Sequence, residues 1–137
     1  MDKVMPIDKE YIYSGSAIIS QTDLDGVITY ANRAFCEASG YKADELVGKL
    51  HNIIRHPDMP KIVFAKMWET INGGQAWNGL VKNLRSDGKF YWVETEILPI
   101  VDENETITGF IAARREASRK DISEAIQTYN KMLETQE

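Results

Sequence analysis

The chain has 137 residues, of which 43% are hydrophobic and 27% charged, and its formal net charge is −5. This is the composition of one globular domain with its own core, and it excludes a disordered chain. The acidic balance excludes a generic phosphate-backbone binder, the single cysteine Cys36 excludes an internal disulfide framework, and no apolar run approaches the roughly 18 residues of a membrane span.

Residues 1–14 form an N-terminal cap segment without the apolar core of a signal peptide, so a cytoplasmic protein is expected. Asp25-Gly26 separates Ala17–Thr22 from Val27–Tyr30, and the β-branched flanks predict a hairpin. Asn32–Ser39 predicts a helix that Gly40 stops, and Ala43–Val47 a second short helix that Gly48 stops. Pro60–Asn72 predicts a helix with proline first and glycines after it. Its apolar residues Val63, Phe64, Met67, Trp68 and Ile71 recur at spacings of three and four, which gives one buried stripe. Asp87-Gly88 then divides strand candidates Gly79–Arg85 and Phe90–Val101, and residues 102–105 turn into Thr106–Arg115. Ser118 opens an amphipathic helix over 118–137, with Ile122, Ile126, Tyr129 and Leu133 on one side.

The order is two strands, short helices, three strands and a helix. Strand and helix do not alternate, so a doubly wound sheet is disfavoured. The expected class is α+β: a five-stranded antiparallel sheet with short helices on one face, plus a C-terminal amphipathic helix. The domain is expected over 15–117 and an output or dimerisation helix over 118–137.

The densest chemistry lies in residues 48–60, where His51, Arg55, His56 and Asp58 stand beside Pro57 and Pro60. The prolines hold these polar groups on a short constrained loop. Period two also places Trp77, Gly79, Val81 and Asn83 on one strand face: an aromatic plate, a gap and an amide.

The series Asp25–Asn32, Phe35-Cys36-Glu37, Ser39-Gly40-Tyr41, Glu45–Gly48 and Asp87-Gly88 resembles the signature of PAS domains. Within them, His51–Pro60 and Trp77–Asn83 resemble the Aer-type aerotaxis sensors. That resemblance implies the sheet just described, with noncovalent FAD beneath the helices and the flavin redox state as the signal. It implies a flavin site made of Asn32, Arg55, His56, Asp58, Trp77 and Asn83, with Phe64 on the lining helix. Asn32 and Asn83 suit the pyrimidine edge of the ring. Arg55 suits a pyrophosphate, His56 a titrating partner, and Asp58 the orientation of Arg55 or His56.

Each residue has a plainer role open to it. Arg55 and Asp58 also fit an exposed ion pair, Trp77 simple core, Asn32 a helix N-cap, His51 a structural or surface histidine, and Cys36 a small buried helix residue.

Three functions compete. The first is an FAD-binding redox or oxygen sensor for energy taxis. The second is a haem b sensor with His51 or His56 as axial ligand and Met59 or Met67 opposite. The third is a cofactor-free interaction module. A blue-light receptor of the LOV type is disfavoured, because Asn52-Ile53-Ile54-Arg55 stands where that type needs Asn-Cys-Arg-Phe. No phosphate loop, Gly-x-Ser-x-Gly elbow or His-Glu-x-x-His occurs, so no enzyme is expected. FMN in place of FAD stays open. The resemblance implies a membrane-bound methyl-accepting-type transducer as partner. A stand-alone protein of the CetB type, in a bipartite energy-taxis system, would work with it. A homodimer through the C-terminal helix is a further expectation. Neither nucleic acid nor direct membrane insertion is expected.

Overall fold

A computed structural model describes residues 3–136. Residues 1 and 2 of the expected cap segment, and residue 137 of the expected C-terminal helix, lie outside it. Strands β1 (Ile18–Thr22) and β2 (Ile28–Ala31) form the expected hairpin. Gly26 closes its turn at φ +85, the left-handed region that suits glycine. Helix α1 (Arg33–Ser39) begins at Asn32, whose Oδ1 accepts from the Phe35 N–H at 3.0 Å, and ends at Gly40. Helix α2 (Ala43–Leu46) is one turn, and His51–Ile54 is a 3₁₀ turn. Helix α3 (Lys61–Asn72) follows Pro60 and stops at Gly73. Strand β3 (Trp77–Leu84) starts two residues before the expected Gly79, because Trp77 pairs with Ile97. Strands β4 (Phe90–Val101) and β5 (Ile107–Glu116) follow, then helix α4 (Arg119–Thr135).

The five strands make one antiparallel sheet in the order β2-β1-β5-β4-β3. The first hairpin therefore packs beside the last strand. Phe35, Ile18, Ile28, Leu46, Tyr91 and Val93 form the main core between the sheet and α1 and α2. Each of these six is at most 1% exposed.

The opposite sheet face carries α4. Ile122 and Ala125 pack on Trp92, and Leu80, Phe90 and Tyr129 join them. Trp92 and Leu80 alternate with Val93 and Val81, so they point away from the main core. The Tyr129 hydroxyl donates to the Leu80 carbonyl at 2.6 Å. Beyond Tyr129 the helix passes the β3 edge. Tyr129 and Met132 pack against Met59, Val63 and Val81. The Gln136 Oε1 then accepts from the Lys61 N–H at 2.8 Å, at the start of α3.

The N-terminal segment runs along β4. The Ile7 N–H donates to the Gly88 carbonyl, the Tyr11 N–H donates to the Phe90 carbonyl, and Glu10 bridges to Phe90. Glu10 takes a bidentate pair from Arg119 at 2.7 and 3.0 Å, which ties this segment to α4.

Candidate functional site

Between the inner sheet face, the 3₁₀ turn and α3 lies a cavity of about 360 Å³. That lies within the roughly 300–1,000 Å³ of small-molecule sites. The stripe read from α3 supplies one wall: Phe64, Met67, Trp68 and Ile71 all line it. The floor comes from strand register. Ile97 lies opposite Ala112, which lies opposite Ser20, and Thr95 lies opposite Arg114.

Four of the expected site residues meet here: Arg55, Phe64, Trp77 and Asn83 all line the cavity. The Arg55 guanidinium lies 4.1 Å over the Phe64 ring. Arg55 also bridges to Asn83, which fixes the loop against the edge strand. Trp77 and Gly79 form one device rather than a plate beside a gap. The indole lies across Gly79 so closely that a Cβ there would stand 2.6 Å from the ring.

Three expected residues sit elsewhere. The Asn32 amide is spent on structure: its Oδ1 accepts from the Ile19 and Phe35 N–H groups, and its Nδ2 donates to the Ala17 carbonyl. It is the N-cap and pins α1 to β1. His56 and Asp58 wrap the outer edge of β3. The His56 Nδ1 accepts from the Asp58 N–H at 3.0 Å, and its ring meets Phe90 edge-on. Asp58 pairs with Lys82 at 2.9 Å and comes within 3.8 Å of His56. It does not orient Arg55. Pro57 turns the chain outward between Arg55 and Asp58, so the run divides between cavity and edge.

The residues that complete the cavity are His51, Arg114, Ser20 and Thr95. Arg114 is 4% exposed. Its Nη2 donates to Ser20 Oγ at 3.1 Å and to His51 Nε2 at 2.7 Å. Burial, reinforced by the Arg114 charge, pulls the His51 pKa down to about 3, so the ring is neutral. It stacks on Phe35 with centroids 5.7 Å apart. Burial also pulls Arg114 down to about 10, which leaves it cationic near neutral pH. The Arg114 Nη1 and Thr95 Oγ1 are buried without a hydrogen-bond partner. Alternation along β5 carried the signal for Arg114, since Phe110, Ala112 and Arg114 share one face.

The same geometry bears on haem. His51 Nε2 already accepts from Arg114, and His56 is outside the cavity. Met67 lines the cavity, whereas Met59 packs under α4 with its sulfur accepting from the Lys82 N–H at 3.4 Å. Cys36 packs against the main core and is not among the lining residues.

A profile of the PAS fold matches residues 28–114. The chain belongs to the PAS family. The aerotaxis receptor of Escherichia coli (strain K12) is 43% identical to this PAS domain over 118 residues, which is 86% of the chain and 23% of the receptor. Among solved structures, the light state of the blue-light photoreceptor Aureochrome1 LOV matches with a TM-score of 0.74 at 22% identity, over 82% of this chain and 91% of that one. A light-oxygen-voltage domain studied with a flavin analogue matches with a TM-score of 0.71 at 19% identity, over 84% of this chain and 86% of that one. At these identities the structural likeness is one of fold. Among the described residues no helix of this PAS domain is long and apolar enough to cross a membrane.

Proposed function

We propose that this PAS domain binds a flavin in the cavity and reports its redox state, as an oxygen or energy-taxis sensor. One observation carries the proposal. A largely apolar cavity with an indole and a phenyl ring in its walls also holds two buried polar atoms that lack protein partners, Arg114 Nη1 and Thr95 Oγ1. A planar ring with a carbonyl edge suits both features. The aerotaxis-type motif supports FAD over FMN, and the likeness to an aerotaxis receptor supports an energy-taxis role.

A bound flavin supplies reversible electron transfer. The chain would hold it with the Trp77 indole and Phe64 as walls, Asn83 as a donor and acceptor, and Arg55 toward a phosphate. Redistribution of charge on the ring would be felt by Arg114 on β5 and Thr95 on β4, which share a register pair. Val81 and Trp77 also pack in the cluster that Tyr129 and Met132 of α4 complete. Ring chemistry would thereby bias α4 docking. The two redox states must favour different conformations by about 1–3 kcal/mol for a useful switch.

In this scheme residues 1–14 cap the domain, 15–117 sense, and 118–137 carry output or a homodimer contact. The partner is a membrane-bound methyl-accepting-type transducer. Absorbance of freshly purified protein tests the cofactor. Twin near-ultraviolet and blue bands are expected. A Soret band, or no visible band together with failure to take up added FAD or FMN, would overturn the proposal. Trp77→Ala and Arg55→Ala should each lower flavin affinity about tenfold or more while the far-ultraviolet circular dichroism is kept.

A further inference from the structure

Packing does not account for the state of Arg114. It is a buried cation on the cavity floor, and among the described residues no carboxylate lies within ion-pair distance of it. Such a charge is costly to hold without a counter-charge or a full set of hydrogen bonds. Its Nη2 is satisfied by Ser20 and His51, while its Nη1 is not satisfied. The guanidinium also stands 5.1 Å over the Phe35 ring, which covers one of its faces. Arginine only donates, so His51 Nε2 must be the unprotonated nitrogen and Nδ1 carries the proton. Phe35 holds the imidazole plane from one side and Ser20 contacts Nε2 at 3.2 Å. The guanidinium is thus locked by a neutral acceptor that adds no compensating charge. An aspartate or glutamate at position 51 would have neutralised it.

We propose that Arg114 is the specificity-determining residue of the cavity, whose free N–H selects a planar ligand with a carbonyl or anionic edge, and that His51 is the positioning residue that aims it. For the ligand's identity this rests on the flavin reading above. The empty domain then carries the cost of the uncompensated cation, and the ligand edge relieves it. Binding and stability should therefore respond to Arg114 in opposite directions.

The test uses the full chain stripped of flavin, as wild type, Arg114→Met, His51→Gln and His51→Phe. Methionine keeps length without charge. Cofactor-free Arg114→Met should melt about 3 °C or more above wild type. Its riboflavin affinity, read by fluorescence quenching, should fall about tenfold or more. His51→Gln keeps an acceptor and should bind within about threefold of wild type, whereas His51→Phe should fall about tenfold. A lower melting temperature for Arg114→Met, or affinity within about threefold of wild type, would overturn the proposal. So would equal binding by the two His51 variants. Wild type that binds no flavin would sink the flavin reading alone, and 2-naphthoate then replaces riboflavin as a planar probe with an anionic edge. Tenfold weaker naphthoate binding by Arg114→Met would sustain the role of Arg114, and no naphthoate binding by wild type would end it.

Discussion

His51 and His56 are both held below the ordinary histidine range, and burial is the first cause for each. Arg114 adds to the effect on His51; Lys82 adds to it on His56, where Asp58 opposes. The sign of the consequence follows from proton counts. Below about pH 6.5 the unfolded chain protonates both rings, while the folded chain resists, so folding stability falls as the pH drops. For His51 the loss runs from about 6.5 down to about 3. Each histidine contributes at most about 1.4 kcal/mol per pH unit. Urea unfolding at several pH values should show this slope, and His51→Gln should flatten part of it. An unchanged slope in that variant would mean that His51 is not the buried neutral ring described here. At this scale the cavity-facing placement of Phe64, Trp77 and Asn83 was legible, because helix and strand periods fix which way they point, whereas Arg55 stands on a loop and its placement follows from the motif resemblance alone. His56 and Asp58 were not legible, because Pro57 redirects the chain by an angle that spacing does not encode. Arg114 hid beside Arg115, where two adjacent arginines look like a solvated strand end, although alternation with Ala112 and Phe110 marked it as inward.

The elements were more legible than the site. Asp-Gly turns, the Asn32 cap and the glycine stops are local signals, and each marks a boundary that the structure has within two residues. What they could not show is where α4 lies, because that depends on distant surfaces. Ile122, Ala125 and Tyr129 of its apolar side are taken up by Trp92 and Leu80 of its own sheet, while Ile126 stays 42% exposed. The Tyr129 ring stacks on Trp92 at 6.2 Å, and its hydroxyl fixes the height of the helix on β3. Removing only that hydroxyl with Tyr129→Phe should cost about 1 kcal/mol of docking. Amide exchange over residues 119–135 should speed up accordingly, while β1 and β5 keep their protection. The Glu10–Arg119 pair is largely exposed on the arginine side and contributes little energy, under about 1 kcal/mol. Its value is geometric: the N-terminal segment and α4 are fastened to each other as well as to the sheet.

As a whole the molecule is a sheet covered on both faces, with a cavity under one cover and a helix as the other. Two routes join the covers. One is the cluster of Val81, Trp77, Tyr129 and Met132, and the other is the Gln136 cap on the first turn of α3. Deleting residues 118–137 would uncover Trp92, Leu80 and Phe90, an apolar patch of the kind that drives association. The shortened chain should elute as a larger species in size-exclusion chromatography, at protein concentrations where the full chain does not. An unchanged oligomeric state would refute this prediction, and loss of an assembly that the full chain forms would instead assign self-association to α4 itself.

The strand order has a consequence in time. Ser20 and Arg114 stand 94 positions apart, yet they touch on neighbouring strands. During synthesis the first hairpin must wait for β5 before its inner edge is paired. The guanidinium on the cavity floor therefore arrives among the last parts of the sheet. Closing so long a loop is entropically expensive and slows folding relative to chains with local contacts. Any ligand that engages this guanidinium must then load after β5 has joined the sheet, so ligand binding reports a completed domain rather than helping to assemble it.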